Sequence, residues 1–80
     1  MSDDATPPVR LDLRGLKCPL PALRTRKALK QAAAGQRFIV ECTDPLSMID
    51  IPNLLRETGD ELEGQESAEG LHIFRIRRQG

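Results

Sequence analysis

Tryptophan and tyrosine are absent from these 80 residues, and Phe38 and Phe74 are the only aromatics. The core must therefore be assembled from Leu, Ile, Val and Ala. A chain this short buries a modest core and leaves no room for a second domain. No run of about 18 apolar residues exists, which excludes a membrane-spanning helix. Residues 1–8 are acidic and lack an apolar segment, so they read as a disordered lead-in rather than a secretory signal. A bacterial or archaeal cytoplasm is the expected compartment. Two cysteines, Cys18 and Cys42, are too few for a disulfide scaffold, and their spacing matches no four-ligand zinc pattern. Both are expected to be thiols in a reducing cytosol. The one histidine, His72, supports no Cys-His-Asn arrangement, which argues against a cysteine hydrolase. The lack of a Cys-x-x-Cys motif argues against a thioredoxin-type dithiol.

Net charge is also absent, but only as a sum. From Leu13 to Val40 stand seven bases (Arg14, Lys17, Arg24, Arg26, Lys27, Lys30, Arg37) and no acid, whereas Glu41 to Glu69 holds nine acids and one base, Arg56. Such asymmetry suggests an electropositive face in the first third of the chain. Taken alone, it is better read as two solvated helix faces of opposite sign.

The hydrophobic pattern names six elements. Val9 to Arg14 alternates, which predicts a strand with Val9, Leu11 and Leu13 inward. After Gly15, Cys18-Pro19-Leu20-Pro21 leads into a helix over Ala22 to Ala34 with Gly35 at its C′ position. Prolines are tolerated in the first turn, where an N–H has no intrahelical partner. Leu20, Leu23 and Leu29 supply the apolar stripe. Arg37 to Thr43 predicts a second strand with Phe38, Val40 and Cys42 on one face. Asp44-Pro45 breaks it, and Leu46 to Thr58 reads as a helix, interrupted early by Pro52 and closed by Gly59, with Met48, Ile51, Leu54 and Leu55 as its apolar positions. Glu61 to Glu66 is a weaker strand, Glu69-Gly70 a turn, and Leu71 to Arg77 a last strand with Phe74 and Ile76 inward. The predicted fold is a two-layer α/β sandwich of order β-α-β-α-β-β, a four-stranded mixed sheet with two helices on one face, spanning residues 9–78. The last two strands form an antiparallel hairpin.

Cys18 is the candidate for chemistry. It stands immediately before a helix, where the thiol is expected to meet free backbone N–H groups and the positive end of the helix dipole. Such placement lowers a thiol pKa, and Lys17, Arg14 and Arg24 are expected to favour the anion further. Pro19 and Pro21 stiffen the backbone that presents it. A lone activated cysteine without a base fits a carrier whose partner completes the site, rather than a stand-alone turnover enzyme. Position alone leaves open a second reading, a small hydrophobe packed under the helix. Cys42 shares a strand face with Phe38 and Val40 and is expected to be buried and inert. Asp44 is expected to cap the second helix, with Asp50 and Pro52 shaping its start. His72 alternates with Phe74 and Ile76 and is expected to be a partly buried strand residue.

The stretch Leu11-Asp12-Leu13-Arg14-Gly15-Leu16-Lys17-Cys18-Pro19-Leu20-Pro21 resembles the signature of the TusA/SirA-like sulfur-carrier family: a strand, a glycine and Cys-Pro-x-Pro. Thr43-Asp44-Pro45 followed by Asp50-Ile51-Pro52 resembles that family's second block. Thr43 stands where the family has an acid, and Cys42 where it often has a small residue. The resemblance implies that Cys18 carries sulfane sulfur as a persulfide. It also implies that Gly15, Pro19, Pro21, Asp44, Pro45 and Asp50 support it. The implied donor is a cysteine desulfurase or a rhodanese-like protein. The implied acceptors serve tRNA thiolation, sulfur oxidation or cofactor synthesis, and some sequences of this type have a membrane-protein or selenium context. No metal or organic cofactor is needed. Arg14, Lys17, Arg24 and Lys27 are candidates for docking an acidic partner surface, and a monomer forming transient complexes is the default. The rival functions are a small RNA-binding module and a thiol-redox regulator. The first lacks an exposed aromatic platform and net positive charge; the second would show peroxide sensitivity without persulfide transfer.

Overall fold

The computed structural model describes residues 7–79. The lead-in expected over residues 1–8 therefore lies outside the described residues, apart from Pro7 and Pro8. The elements are β1 (Val9–Leu13), α1 (Leu20–Lys30), β2 (Arg37–Cys42), α2 (Ser47–Thr58), β3 (Glu61–Ala68) and β4 (Leu71–Arg77). The sheet order is β1-β2-β4-β3, with β1 parallel to β2 and the other two pairings antiparallel. The β3–β4 connection is the expected hairpin. Glu69 and Gly70 both have positive φ, as a two-residue turn matching the strand twist requires.

Period-two alternation places Leu13, Phe38, Val40, Cys42, Phe74 and Ile76 on one face of the sheet, where Leu29 of α1 and Ile51 and Leu55 of α2 cover them. The opposite face carries no helix. It is laced with ion pairs: Arg10–Glu41, Arg37–Glu63, Arg75–Glu66 and Arg77–Glu61. Glu41 is buried beside Arg10, which reaches solvent, while the other three pairs are exposed and add little stability. No helix among the described residues is long and apolar enough to cross a membrane.

Several local expectations are corrected. Helix α1 begins at Leu20 and ends at Lys30, not at Ala34. Its end tightens into i→i−3 bonds, Gln31 N–H to Ala28 O and Ala32 N–H to Leu29 O, and Gly35 instead donates its N–H to Arg78 O at 2.7 Å. The buried stripe of α1 is Pro21, Thr25 and Leu29. Leu20 and Leu23 are 42% and 54% exposed. Thr25 takes the core position because its hydroxyl is satisfied by Pro21 O at 2.8 Å. Met48 is likewise exposed. Pro52 does not interrupt α2, which runs on to Gly59 in the left-handed conformation. β3 reaches Ala68, with an irregular register between Leu62 and Gly64.

One buried ion pair closes the end of the sheet remote from Cys18. The Asp60 carboxylate, fully buried, accepts from Arg78 Nη1 at 3.2 Å and from Gln79 N–H at 2.8 Å. Burial pushes its carboxyl up, but the Gln79 N–H, the Thr58 hydroxyl and Arg78 outweigh it, and the net shift is downward. The unfolded chain therefore takes up the proton first. This stabilisation is complete above the ordinary carboxylate value of about 4 and is lost as pH falls through the lower folded-state value. Asp60→Asn is expected to cost about 1–3 kcal/mol at neutral pH. It should also flatten the loss of stability between about pH 5 and pH 3, read by urea unfolding at each pH.

Candidate functional site

The parallel pairing of β1 and β2 sets Leu13 beside Cys42, so the two chains leave the sheet together. Gly15, at φ 85°, turns the first of them and donates its N–H to Thr43 Oγ1 at 2.8 Å. Only a residue tolerant of positive φ fits that turn. The loop then reaches Cys18, which is exposed, and the Cys18–Pro19 peptide is cis. Asp44 ties this loop to the next: one carboxylate oxygen accepts the Cys18 N–H and the other accepts the Leu46 N–H at 3.1 Å. Helix α2 thus has no side-chain cap. The expected capping role of Asp44 is replaced by a bridge between the two loops, and Ser47 Oγ donates to Asp44 O at 2.7 Å. The two hydrogen bonds and the Lys17 charge hold the Asp44 carboxyl below its usual range.

The sulfur does not face the environment expected for it. Pro19 and Pro21 have no N–H to offer, the Leu20 N–H goes to Lys17 O at 2.8 Å, and the Leu23 N–H goes to Pro19 O at 3.1 Å. With these donors missing or spent, Cys18 Sγ–H donates to Asp50 Oδ2, in the first turn of α2, at 2.8 Å. The hydrogen bond to Asp50, partial desolvation, and the charges of Asp50 and Asp44 all push the Cys18 thiol up, not down. Asp50, expected to shape the start of α2 and, by the family resemblance, to support Cys18, is the sulfur's direct partner.

The basic residues do not offset this. Arg14 is bound to Asp12, its Nε 2.8 Å from Oδ1, and holds that carboxyl at about 2. Arg26 is paired with Glu57 at 2.9 Å. Lys17, Arg24 and Lys27 have no ion-pair partner among the described residues. Cys18 opens onto a groove of about 440 Å³ between α1 and α2, lined by Pro19, Ala22, Leu23, Arg26, Asn53 and Glu57. A second hollow lies behind the loop, against Gly15, Lys17, Thr43, Asp44 and Pro45. Pro21 is buried and anchors the start of α1. The structure thus gathers Gly15, Cys18, Pro19, Asp44, Pro45 and Asp50 at one end of the sheet. Thr43 belongs with them and went unremarked as a support; its place opposite Gly15 follows only from the β1–β2 register.

Cys42 is fully buried, and burial pushes its thiol up. His72 is buried as well, with Nδ1 2.8 Å from Ser67 Oγ. No group of His, Cys, Asp and Glu suited to a metal ion occurs among the described residues.

A family model described as Sulfurtransferase TusA matches residues 9–78. The chain belongs to the TusA sulfurtransferase family. It is 40% identical over 68 residues to the sulfur carrier protein TusA of Allochromatium vinosum, covering 85% of this chain and 90% of that protein. Identity to the TusA of Pseudomonas entomophila is 38% over 69 residues, 86% of each. The crystal structure of a SirA-like protein from Desulfitobacterium hafniense superposes with a TM-score of 0.76 at 25% identity, covering 90% of this chain and 99% of that one.

Proposed function

We propose that this protein accepts sulfane sulfur as a persulfide on Cys18 and relays it to an acceptor protein. The observation that carries this reading is the exposure of Cys18 on a loop pinned at Gly15 by Thr43 and at its own N–H by Asp44. A sulfur held at a fixed point at the protein surface suits exchange with a partner's sulfur.

The Cys18 thiolate attacks the outer sulfur of a donor persulfide, R–S–S–H. A new S–S bond forms on Cys18 as the donor's S–S bond breaks, and the electron pair leaves on the donor thiolate. That thiolate takes up the proton Cys18 gave up, so no oxidant or reductant is consumed. An acceptor thiolate attacks the outer sulfur in turn and restores the Cys18 thiol. The donor fits a cysteine desulfurase or a rhodanese-like protein, and the cytoplasm is the compartment in which such partners work. The test is incubation with a persulfide donor, removal of the donor, and cyanide treatment to release sulfane sulfur as thiocyanate. About one equivalent per chain is expected; release no higher than from untreated protein would refute the role.

Docking is assigned to the α1 side of the site. Lys17, Arg24 and Lys27 are free to meet partner carboxylates, and the exposed Leu20 and Leu23 lie between them in the chain. Arg24→Glu with Lys27→Glu is expected to slow sulfur acceptance from a protein donor about tenfold or more at low salt, and less at high salt, where screening weakens steering. Transfer from a small-molecule persulfide should be unchanged. Equal rates for wild type and variant with the protein donor would remove α1 from the interface. RNA binding has no supporting feature: the described surface shows no exposed aromatic, since Phe38 and Phe74 are both buried.

A further inference from the structure

The contact between Cys18 and Asp50 has a consequence beyond support. Asp50 reaches the sulfur from the first turn of α2, with Sγ and Oδ2 2.8 Å apart. Asp44 is also close, its carboxylate on the Cys18 N–H. The remaining charged groups facing the sulfur are few. Arg26 of α1 and Glu57 of α2 line the same groove and neutralise each other. Lys17 precedes Cys18 in the chain and, together with His72 of β4, bears on Asp44 rather than on the sulfur, while Arg14 is turned to Asp12. Two carboxylates against one uncommitted ammonium leave the sulfur in a net negative setting. A thiolate and a carboxylate at this separation repel, so the proton that bridges them is held.

We propose that Asp50 is a latch on the empty carrier: it keeps unloaded Cys18 as a hydrogen-bonded thiol and releases the side chain once sulfur is loaded. A persulfide is a stronger acid than the thiol it grows from. The loaded side chain is thus an anion with no proton to give Asp50, and the same carboxylate that held the thiol repels it outward. The empty carrier is shielded from peroxide and other small electrophiles, which react with thiolates. The latch rests on the carrier reading of Cys18 and adds how its reactivity is controlled.

The test is the pH profile of Cys18 alkylation by iodoacetamide on the empty protein, with Cys18→Ser as the baseline. Asp50→Asn removes the charge and keeps the shape. Its profile is expected to move down by about one pH unit, with a roughly tenfold faster rate at neutral pH, because below its pKa the thiolate fraction rises tenfold per unit. Asp50→Glu restores a carboxylate and is expected to move the profile back toward wild type. An unchanged Asp50→Asn profile overturns the latch. So does an Asp50→Glu profile matching Asp50→Asn, since a loosened α2 would then explain both. Sulfur loading is not part of this measurement, so a failed carrier role and a failed latch give different results.

Discussion

Cys18→Ser is expected to reduce sulfur loading to background while leaving the fold intact. A serine hydroxyl cannot form a persulfide, so the loss is complete rather than graded. The side chain nevertheless keeps its structural contacts. A hydroxyl donates to Asp50 Oδ2 as the thiol does, and the Cys18 N–H bond to Asp44 belongs to the backbone. Thermal unfolding should therefore shift by no more than about the ±0.5 kcal/mol typical of surface substitutions. Thiocyanate release from the variant at even half the wild-type level would assign the carried sulfur to another group. Cys42 is a poor candidate for that group, being wholly enclosed between the sheet and α2.

Phe74→Ala is expected to have the largest effect on stability. Phe74 lies on a central strand, fully buried, paired in register with Val40 on β2 and Gln65 on β3. It is the largest fully buried side chain, so its truncation leaves a large cavity in the core. Truncation of a buried phenylalanine costs about 3–5 kcal/mol. A domain of 80 residues has roughly 4–12 kcal/mol in total. The melting temperature should fall by more than about 10 °C, and a large part of the population should unfold. Leu23→Ala is the contrast: Leu23 is more than half exposed and should change stability by less than about 0.5 kcal/mol. Similar melting curves for the two variants would mean that the buried face of the sheet is wrongly assigned.

What could be read from the residues divides along physical lines. β2 and β4 were legible because each is buried on one face and charged or half-exposed on the other, which makes alternation strong: Phe38, Val40 and Cys42; Phe74 and Ile76. The end of β3 was not, because Ser67 and Ala68 lie on an edge strand exposed along most of its length and carry no alternation. The end of α1 was hidden by Ala32, Ala33 and Ala34, good helix formers that yield to a tertiary bond from Gly35 to Arg78. Leu20 and Leu23 were assigned inward because apolarity names residues but not the rotation of a helix. The observed rotation buries Pro21, Thr25 and Leu29, with the Thr25 hydroxyl satisfied inside the helix. At the site, position alone left Cys18 open between an exposed thiol and a residue packed under the helix, and the structure shows it exposed. Its electrostatics were not legible, because Asp50 lies 32 residues away in the chain and the two prolines delete N–H donors that a generic helix start would offer. The basic residues near Cys18 in sequence act on carboxylates rather than on the sulfur: Arg14 on Asp12, Arg26 on Glu57 and Lys17 on Asp44.

The most direct measurement of the central claim is tryptic peptide mapping of the protein after incubation with a persulfide donor, under conditions that preserve persulfides. Cleavage after Lys17 and Arg24 isolates Cys18 in residues 18–24, and cleavage after Arg37 and Arg56 isolates Cys42 in residues 38–56. The mass of one sulfur atom should be gained by the first peptide and not by the second. Added sulfur on the Cys42 peptide, or on neither, would contradict the assignment of Cys18 as the carrier.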